Sequence, residues 1–305
     1  MKSIRFHDYG GVEEIRVDHV EPLHAGSGEV LIDVAGAGVN PVDYKVRSGI
    51  AREVLTLSLP YTLGCDFSGT IRAVGEGVSE TRIGERVMGM VSVVRGGAYA
   101  EQIVVRAEEA APVPDGLDLV KAAMLPMGVM TGYDLIEIGL NVRSGERVIV
   151  TGAAGSVGRA AVYAAASRGA EVVAVVRAQP PVPISGAAAT IVLPNENAIT
   201  QAGPFDCVAD TVGGELAESF IAHLRSGGRF CTVVAPVPGA PDNSTISIGY
   251  VIVSADSAKI SRFANALASG EANLPEPQLL SLDRAAEAHG LLESGGLRSK
   301  LILIP

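Results

Sequence analysis

The residues best suited to chemistry lie in the run Val148-Ile-Val-Thr-Gly-Ala-Ala-Gly-Ser-Val-Gly158. A β-branched stretch, Arg147 to Val150, leads into Gly152, Gly155 and Gly158, and an Ala-rich stretch from Ser156 to Arg168 follows, with Gly169 placed to stop it. Strand, glycine turn and helix in that order make an anion cradle. Small residues let the chain turn tightly, let the backbone approach a pyrophosphate and let the helix pack close to the strand. The helix start then offers free N–H groups and the positive end of its dipole. The spacing is G-x-x-G-x-x-G rather than the commoner G-x-G-x-x-G, so the flanking strand and helix carry the assignment to a dinucleotide. Gly152, Ala154, Gly155, Ser156, Val157 and Gly158 are the candidate contacts; the alternative is a structural turn.

The end of the next strand selects the nucleotide. NAD sites usually place Asp or Glu there, about 20 residues on, against the ribose hydroxyls. Here Glu171 to Val176 ends in Arg177, and no carboxylate follows before Glu196. A cation suits a 2′-phosphate, so the reading is NADPH, with a solvated surface arginine as the alternative. Pro180, Pro181 and Pro183 come next and cannot sustain a helix through their own positions.

These residues need elements to hold them. The first third reads as β-rich: Ile15 to Val20, Glu29 to Ala35, Ser68 to Val74, Arg86 to Met90 and Tyr99 to Val105 are short strands punctuated by Gly and Pro. Past Pro112-Val-Pro-Asp-Gly116 the texture changes. A helical stretch from Leu119 to Leu140 is divided by Pro126, and strands at Ala189 to Leu193, Cys207 to Asp210 and Arg229 to Val234 alternate with helices. Such alternation means βαβ units and a parallel sheet. Two helical segments, Ala258 to Ala268 and Asp283 to Glu293, and a last strand, Leu301 to Ile304, close the chain.

Composition narrows the classes. At 305 residues, 48% of them hydrophobic, two domains are expected. A net charge of -10 and the absence of Trp argue against nucleic acid. The three cysteines, Cys65, Cys207 and Cys231, are odd in number and far apart, which suits reduced thiols rather than a disulfide frame. No run reaches the roughly 18 uninterrupted apolar residues of a membrane span, and Met1 to Asp8 alternates like a strand. The expectation is a cytoplasmic protein.

Several blocks resemble the zinc-free quinone oxidoreductase branch of the medium-chain dehydrogenases. They are Gly38-Val-Asn-Pro-Val-Asp-Tyr-Lys-Val-Arg-Ser-Gly49, Gly64-Cys-Asp-Phe-Ser-Gly69, Gly84-Glu-Arg-Val-Met-Gly89 and Gly97-Ala-Tyr-Ala-Glu101. Thr131-Gly-Tyr133, the glycine turn, Asp210-Thr-Val-Gly-Gly214 and Ala288-His-Gly-Leu-Leu-Glu-Ser-Gly-Gly296 complete the series. The resemblance implies an α/β protein: a GroES-like β-rich catalytic domain at 1–115 and 255–305, and a Rossmann domain with a doubly wound parallel sheet at 116–254. It also implies hydride transfer from NADPH to a small quinone or α,β-unsaturated carbonyl; a homodimer is expected because closed dimers are the commonest assemblies, with the edge strand near Thr245 to Val253, where the family often joins its sheets, as the place for pairing. Zinc-dependent relatives hold their metal at positions that fall here on Asn40, Cys65 and Met127, which is not a three-ligand zinc set.

By the same resemblance, Asn40, Asp43 and Tyr44 are the candidate catalytic residues. Asn40 would orient substrate or water, Asp43 would anchor that network, and Tyr44 would donate a hydrogen bond or proton to a developing enolate. Capping of the helix after Pro41 is the alternative for Asn40 and Asp43, and packing is the alternative for Tyr44. Thr131, Thr211, Val212 and Ala235 are placed near the cofactor. The family's helix after Arg177 is missing from this sequence, which marks the adenosine end as unusual. Two other functions compete: reduction of enoyl thioesters, and a non-catalytic NADPH-binding sensor or accessory protein.

Overall fold

The computed structural model describes residues 1–194, 196–242, 244–297 and 299–305. The chain folds into two units, one comprising Met1–Met127, Ala255–Ala268 and Glu276–Pro305, the other Gly128–Ser254 and Ser269–Pro275.

The first unit is built on antiparallel sheet, except that Gln278–Ser281 pairs in parallel with Leu301–Ile304. Lys2–Phe6 pairs with Ile15–His19 on one side and Tyr61–Thr62 on the other. The larger sheet runs in the spatial order Gln278–Ser281, Leu301–Ile304, Glu29–Gly38, Asp66–Val74, Arg86–Met90, Ala111–Pro112, with Gln102–Arg106 also pairing with Glu29–Gly38. Alternating residues such as Val30, Ile32 and Val34 join Ile4, Phe6, Phe67, Ile71 and Val105 in one core. The strand expected over Tyr99 to Val105 forms only at Gln102–Arg106. Tyr99 lies before it in irregular backbone, donating its N–H to Leu63 O and accepting from Ile4 N–H.

The second unit carries six parallel strands in the spatial order Ala189–Val192, Glu171–Val176, Arg147–Val150, Phe205–Asp210, Leu224–Thr232, Ser247–Tyr250. Numbered along the chain this is 3-2-1-4-5-6, the Rossmann order, whose direction reverses between the strands ending at Val150 and Asp210. Val148, Ile149, Val150, Val173 and Val175 are fully or almost fully buried, as a parallel sheet covered on both faces requires.

The helix Ser156–Ser167 is rich in alanine, a strong helix former, and ends where Gly169 at φ +82 lets the chain reverse. Gly169 N–H bonds Ala166 O and Ala170 N–H bonds Ala165 O, a Schellman closure. The apolar stretch from Leu119 breaks before Pro126, which starts a second helix, Pro126–Asp134, continued as a π turn over Leu135–Gly139. Taken together, Leu119–Gly139 is long and apolar enough to cross a membrane by composition, but 83% of its most apolar 18-residue window is buried inside the protein, as in a core helix. Between Val176 and Ala189 there is no helix.

Candidate active site and nucleotide turn

In the first unit, strand register brings a polar cluster together. Gly38 stands opposite both Asp66 and Ile302, and Val39 donates to Leu301 O at 3.0 Å. Asn40, Asp66 and Lys300, each within two residues of that crossing, therefore converge. Asn40 Nδ2 donates to Asp66 Oδ2 at 2.9 Å, and Lys300 Nζ donates to Asn40 Oδ1. Lys300 Nζ also lies 3.9 Å from Asp66 Oδ2, and the Met127 N–H bonds Asp66 Oδ1 at 3.0 Å.

Asp43, on the short helix Pro41–Arg47, extends the cluster. Its Oδ2 accepts from Asn40 N–H at 2.7 Å and from the buried Tyr99 hydroxyl at 2.9 Å. The first contact is half of a capping box, so the capping role foreseen for Asp43 is present. Asn40's side chain makes no cap; it turns into the cluster with both ends of its amide engaged. Tyr44 is half-buried on the same helix, and its hydroxyl bonds no described residue.

Two carboxylates, a thiol and one ammonium share this dry space. Burial pushes Asp43 up to about 7, against the Asn40 N–H and the Tyr99 hydroxyl, which favour its charge, and with Asp66 adding repulsion. Burial raises Asp66 to about 6, opposed by Lys300, Asn40 and the Met127 N–H. Burial lowers Lys300 despite its acidic neighbours, and burial holds the Cys65 thiol well above its ordinary range. The cluster thus holds carboxylates that exchange protons near neutrality, a property often built into reaction centres. Among the described residues no group of three or more His, Cys, Asp or Glu side chains is arranged to hold a metal ion.

In the second unit, the glycine turn sits at the reversal of strand order, where open α/β sheets bind ligands. Gly152 has φ +60, and a Cβ there would lie 2.3 Å from Thr211 Oγ1. A Cβ on Gly158 would lie 2.3 Å from Gly152 O and 2.6 Å from Ala153 Cα. Both glycines are therefore required by the turn itself. Gly155 differs: it is exposed, and a Cβ would meet only Gly152 O, at 3.5 Å. Ala154, Ser156 and Val157 are partly exposed around it. The first-turn N–H groups have no acceptor inside the helix and face the side from which an anion would come.

Thr211 and Val212 belong to the same constellation. Thr211 N–H bonds Thr151 Oγ1 at 3.0 Å, and its hydroxyl donates to Thr151 O at 2.8 Å. Asp210, fully buried, ties the neighbouring strand ends together: it accepts from the hydroxyls of Thr151 at 2.7 Å and Thr232 at 2.6 Å, and from the N–H groups of Val212 and Gly213. Thr131 is buried on the helix Pro126–Asp134, which packs on the turn helix through Gly128 and Gly132. Arg177 is exposed directly after its strand, and Ala235 is exposed beyond Leu224–Thr232. Sequence reasoning missed Asp66, Tyr99, Lys300, Asp210 and the buried Arg159, although Asp66, Tyr99 and Asp210 sit inside motif blocks and Lys300 directly precedes an apolar strand.

Comparison with known proteins agrees with both halves. Residues 26–115 match the alcohol dehydrogenase GroES-like domain, and residues 184–303 match the zinc-binding dehydrogenase family. The rat quinone oxidoreductase is 31% identical over 100% of this chain and 98% of its own. A trans-enoyl reductase from Aspergillus japonicus is 27% identical over 90% of this chain and 89% of its own. Among solved structures, a cobalt- and zinc-bound thermostable alcohol dehydrogenase from Pyrobaculum aerophilum superposes with a TM-score of 0.84 at 27% identity, covering 100% and 99% of the two chains. Motifs, fold and relatives converge: the chain belongs to the quinone oxidoreductase family of the medium-chain dehydrogenase/reductase superfamily, NAD(P)-dependent oxidoreductases acting on small molecules.

Proposed function

We propose that this enzyme uses NADPH to reduce a quinone or an α,β-unsaturated carbonyl without zinc. The observation that carries the reading is the glycine turn. Gly152 and Gly158 close it sterically, while Gly155 leaves open space before the helix and Ser156 and Val157 offer first-turn N–H groups at its start. These residues would hold the pyrophosphate, with Thr211, Val212 and Ala235 near the remainder of the dinucleotide and Thr131 on the helix behind. Arg177, exposed and without a carboxylate at the strand end, favours the 2′-phosphate and hence NADPH over NADH. When bound, the nicotinamide supplies the hydride.

The first unit is taken as the catalytic domain and the second as the nucleotide domain. Asp43 anchors Asn40 through the backbone, Asp66 and Lys300 fix the Asn40 amide, and Tyr44 keeps a free hydroxyl to donate to substrate oxygen. The zinc-free reading rests on the donor set. The Asn40 oxygen receives an ammonium and Met127 offers only a thioether, which leaves Cys65 as the one strong zinc donor of the three positions, short of the three-ligand set a catalytic zinc takes. Without a Lewis acid, acceptors that are already electrophilic are favoured over alcohols.

A homodimer joined at the edge strand Ser247–Tyr250 fits its unpaired side and the exposure of Tyr250 and Ile252. Three buried free thiols fit a reducing cytoplasm. The direct test of the zinc-free assignment is turnover with a quinone panel after exhaustive dialysis against a strong chelator. Undiminished rates are expected; loss restored by stoichiometric zinc would overturn it.

A further inference from the structure

Arg159 lies in the first turn of the helix Ser156–Ser167 and is 2% exposed, yet the described residues offer its guanidinium no carboxylate. Four oxygens from three separate pieces of chain surround it instead. Nε donates to Ala154 O at 3.2 Å, Nη2 to Val182 O at 2.8 Å, and Nη1 to Pro183 O at 3.0 Å and to Asn273 Oδ1. Burial lowers its pKa below the usual arginine value, but a guanidinium remains charged. A buried cation is costly unless its geometry is well satisfied. Here that geometry joins the glycine turn to the proline-rich segment after Arg177.

That segment is not helical and has little else to hold it. Pro180, Pro181 and Pro183 lack N–H groups. Its far end is anchored by packing: Ile184 is buried, a Cβ on Gly186 would come within 2.9 Å of Ala166 Cβ, and Ala188 N–H bonds Val172 O at 2.8 Å. Its near end begins at Arg177, at the exposed end of a strand. The Arg159 fork is the fixed point in the middle, and it uses the carbonyl of Ala154, a residue of the turn itself.

We propose that Arg159 is a specificity-determining positioning residue: by clamping the Val182 and Pro183 carbonyls to that of Ala154, it fixes the segment after Arg177 against the glycine turn and so sets the enzyme's preference for a 2′-phosphorylated dinucleotide. The proposal rests on the NADPH reading above.

The test titrates the full-length wild type, R159M, R159K and N273A with NADPH and NADH by nucleotide fluorescence. In R159M, NADPH affinity should fall about tenfold while NADH affinity changes by less than about threefold, moving the ratio toward parity. R159K keeps the charge but cannot span three carbonyls, so it should lose the preference as well. N273A, which removes one acceptor, should lower the ratio by about twofold. Amide exchange over residues 178–187 should accelerate in both Arg159 variants. If R159M does not fold, R159K and N273A decide. A wild type that binds neither nucleotide defeats the proposed function itself. A wild type that prefers NADPH, with variants that keep the preference, defeats only this proposal, and retention in R159K alone would show that charge suffices without a clamp.

Discussion

Replacing Lys300 by Met should destabilise the protein in a way that depends strongly on pH. Lys300 Nζ lies 3.9 Å from Asp66 Oδ2 inside the first unit. At an effective dielectric near 20 that separation is worth about 4 kcal/mol, equivalent to roughly three pH units of carboxylate titration. Asp66 already sits at about 6 rather than 3.8, so its contribution to stability is greatest at acid pH and is lost as pH rises through about 6. Without Lys300 the loss continues upward by roughly three further pH units. At pH 5 Asp66 is mostly protonated in both proteins, and K300M should cost under about 1 kcal/mol beyond packing. At pH 8 the variant must fold with a proton the wild type does not need, and the cost should reach about 3 kcal/mol. Urea unfolding of both proteins at the two pH values, extrapolated to water, measures the difference. Equal destabilisation at pH 5 and pH 8 would mean that Lys300 acts through packing alone and would refute the electrostatic account of the cluster.

Other consequences can be checked alongside. Asp43, raised by burial to about 7, contributes most below 3.8 and loses that contribution as pH rises through about 7; D43N removes the titration, so its stability relative to wild type should improve by about 4 kcal/mol between pH 4 and pH 8 in urea melts. G158A drives a Cβ to 2.3 Å from Gly152 O, and calorimetry should show about 1–3 kcal/mol of lost stability with loss of measurable nucleotide binding. R177A should weaken NADPH by about ten- to a hundredfold in fluorescence titration and leave NADH nearly unchanged. Y44F should lower kcat with little change in the KM for NADPH, which steady-state kinetics would show directly.

Much of the nucleotide half was legible because its signals are local. The β-branched run before Gly152, the Ala-rich helix and the stop at Gly169 are adjacent in sequence, and glycine is the residue such a turn demands. The proline-rich stretch read correctly as unable to form a helix for the same reason. The polar cluster of the first unit was only partly legible. Asn40 and Asp43 share one local motif, but their partners Asp66, Tyr99 and Lys300 lie 26, 56 and 260 residues from a cluster member and meet only through strand register. Asp210 and Arg159 were missed because a charged residue in an apolar run reads as a break in the pattern, whereas here each satisfies several backbone groups at once.

NADPH-dependent reduction of activated acceptors is decided by titrating the purified protein with NADPH and NADH and following 340-nm absorbance with a panel of quinones and enones. NADPH should bind more tightly than NADH and be oxidised in the presence of at least one acceptor class. Binding without turnover on any acceptor would contradict the reductase reading and favour a sensor or accessory role, and failure to bind either nucleotide would contradict the account at its base.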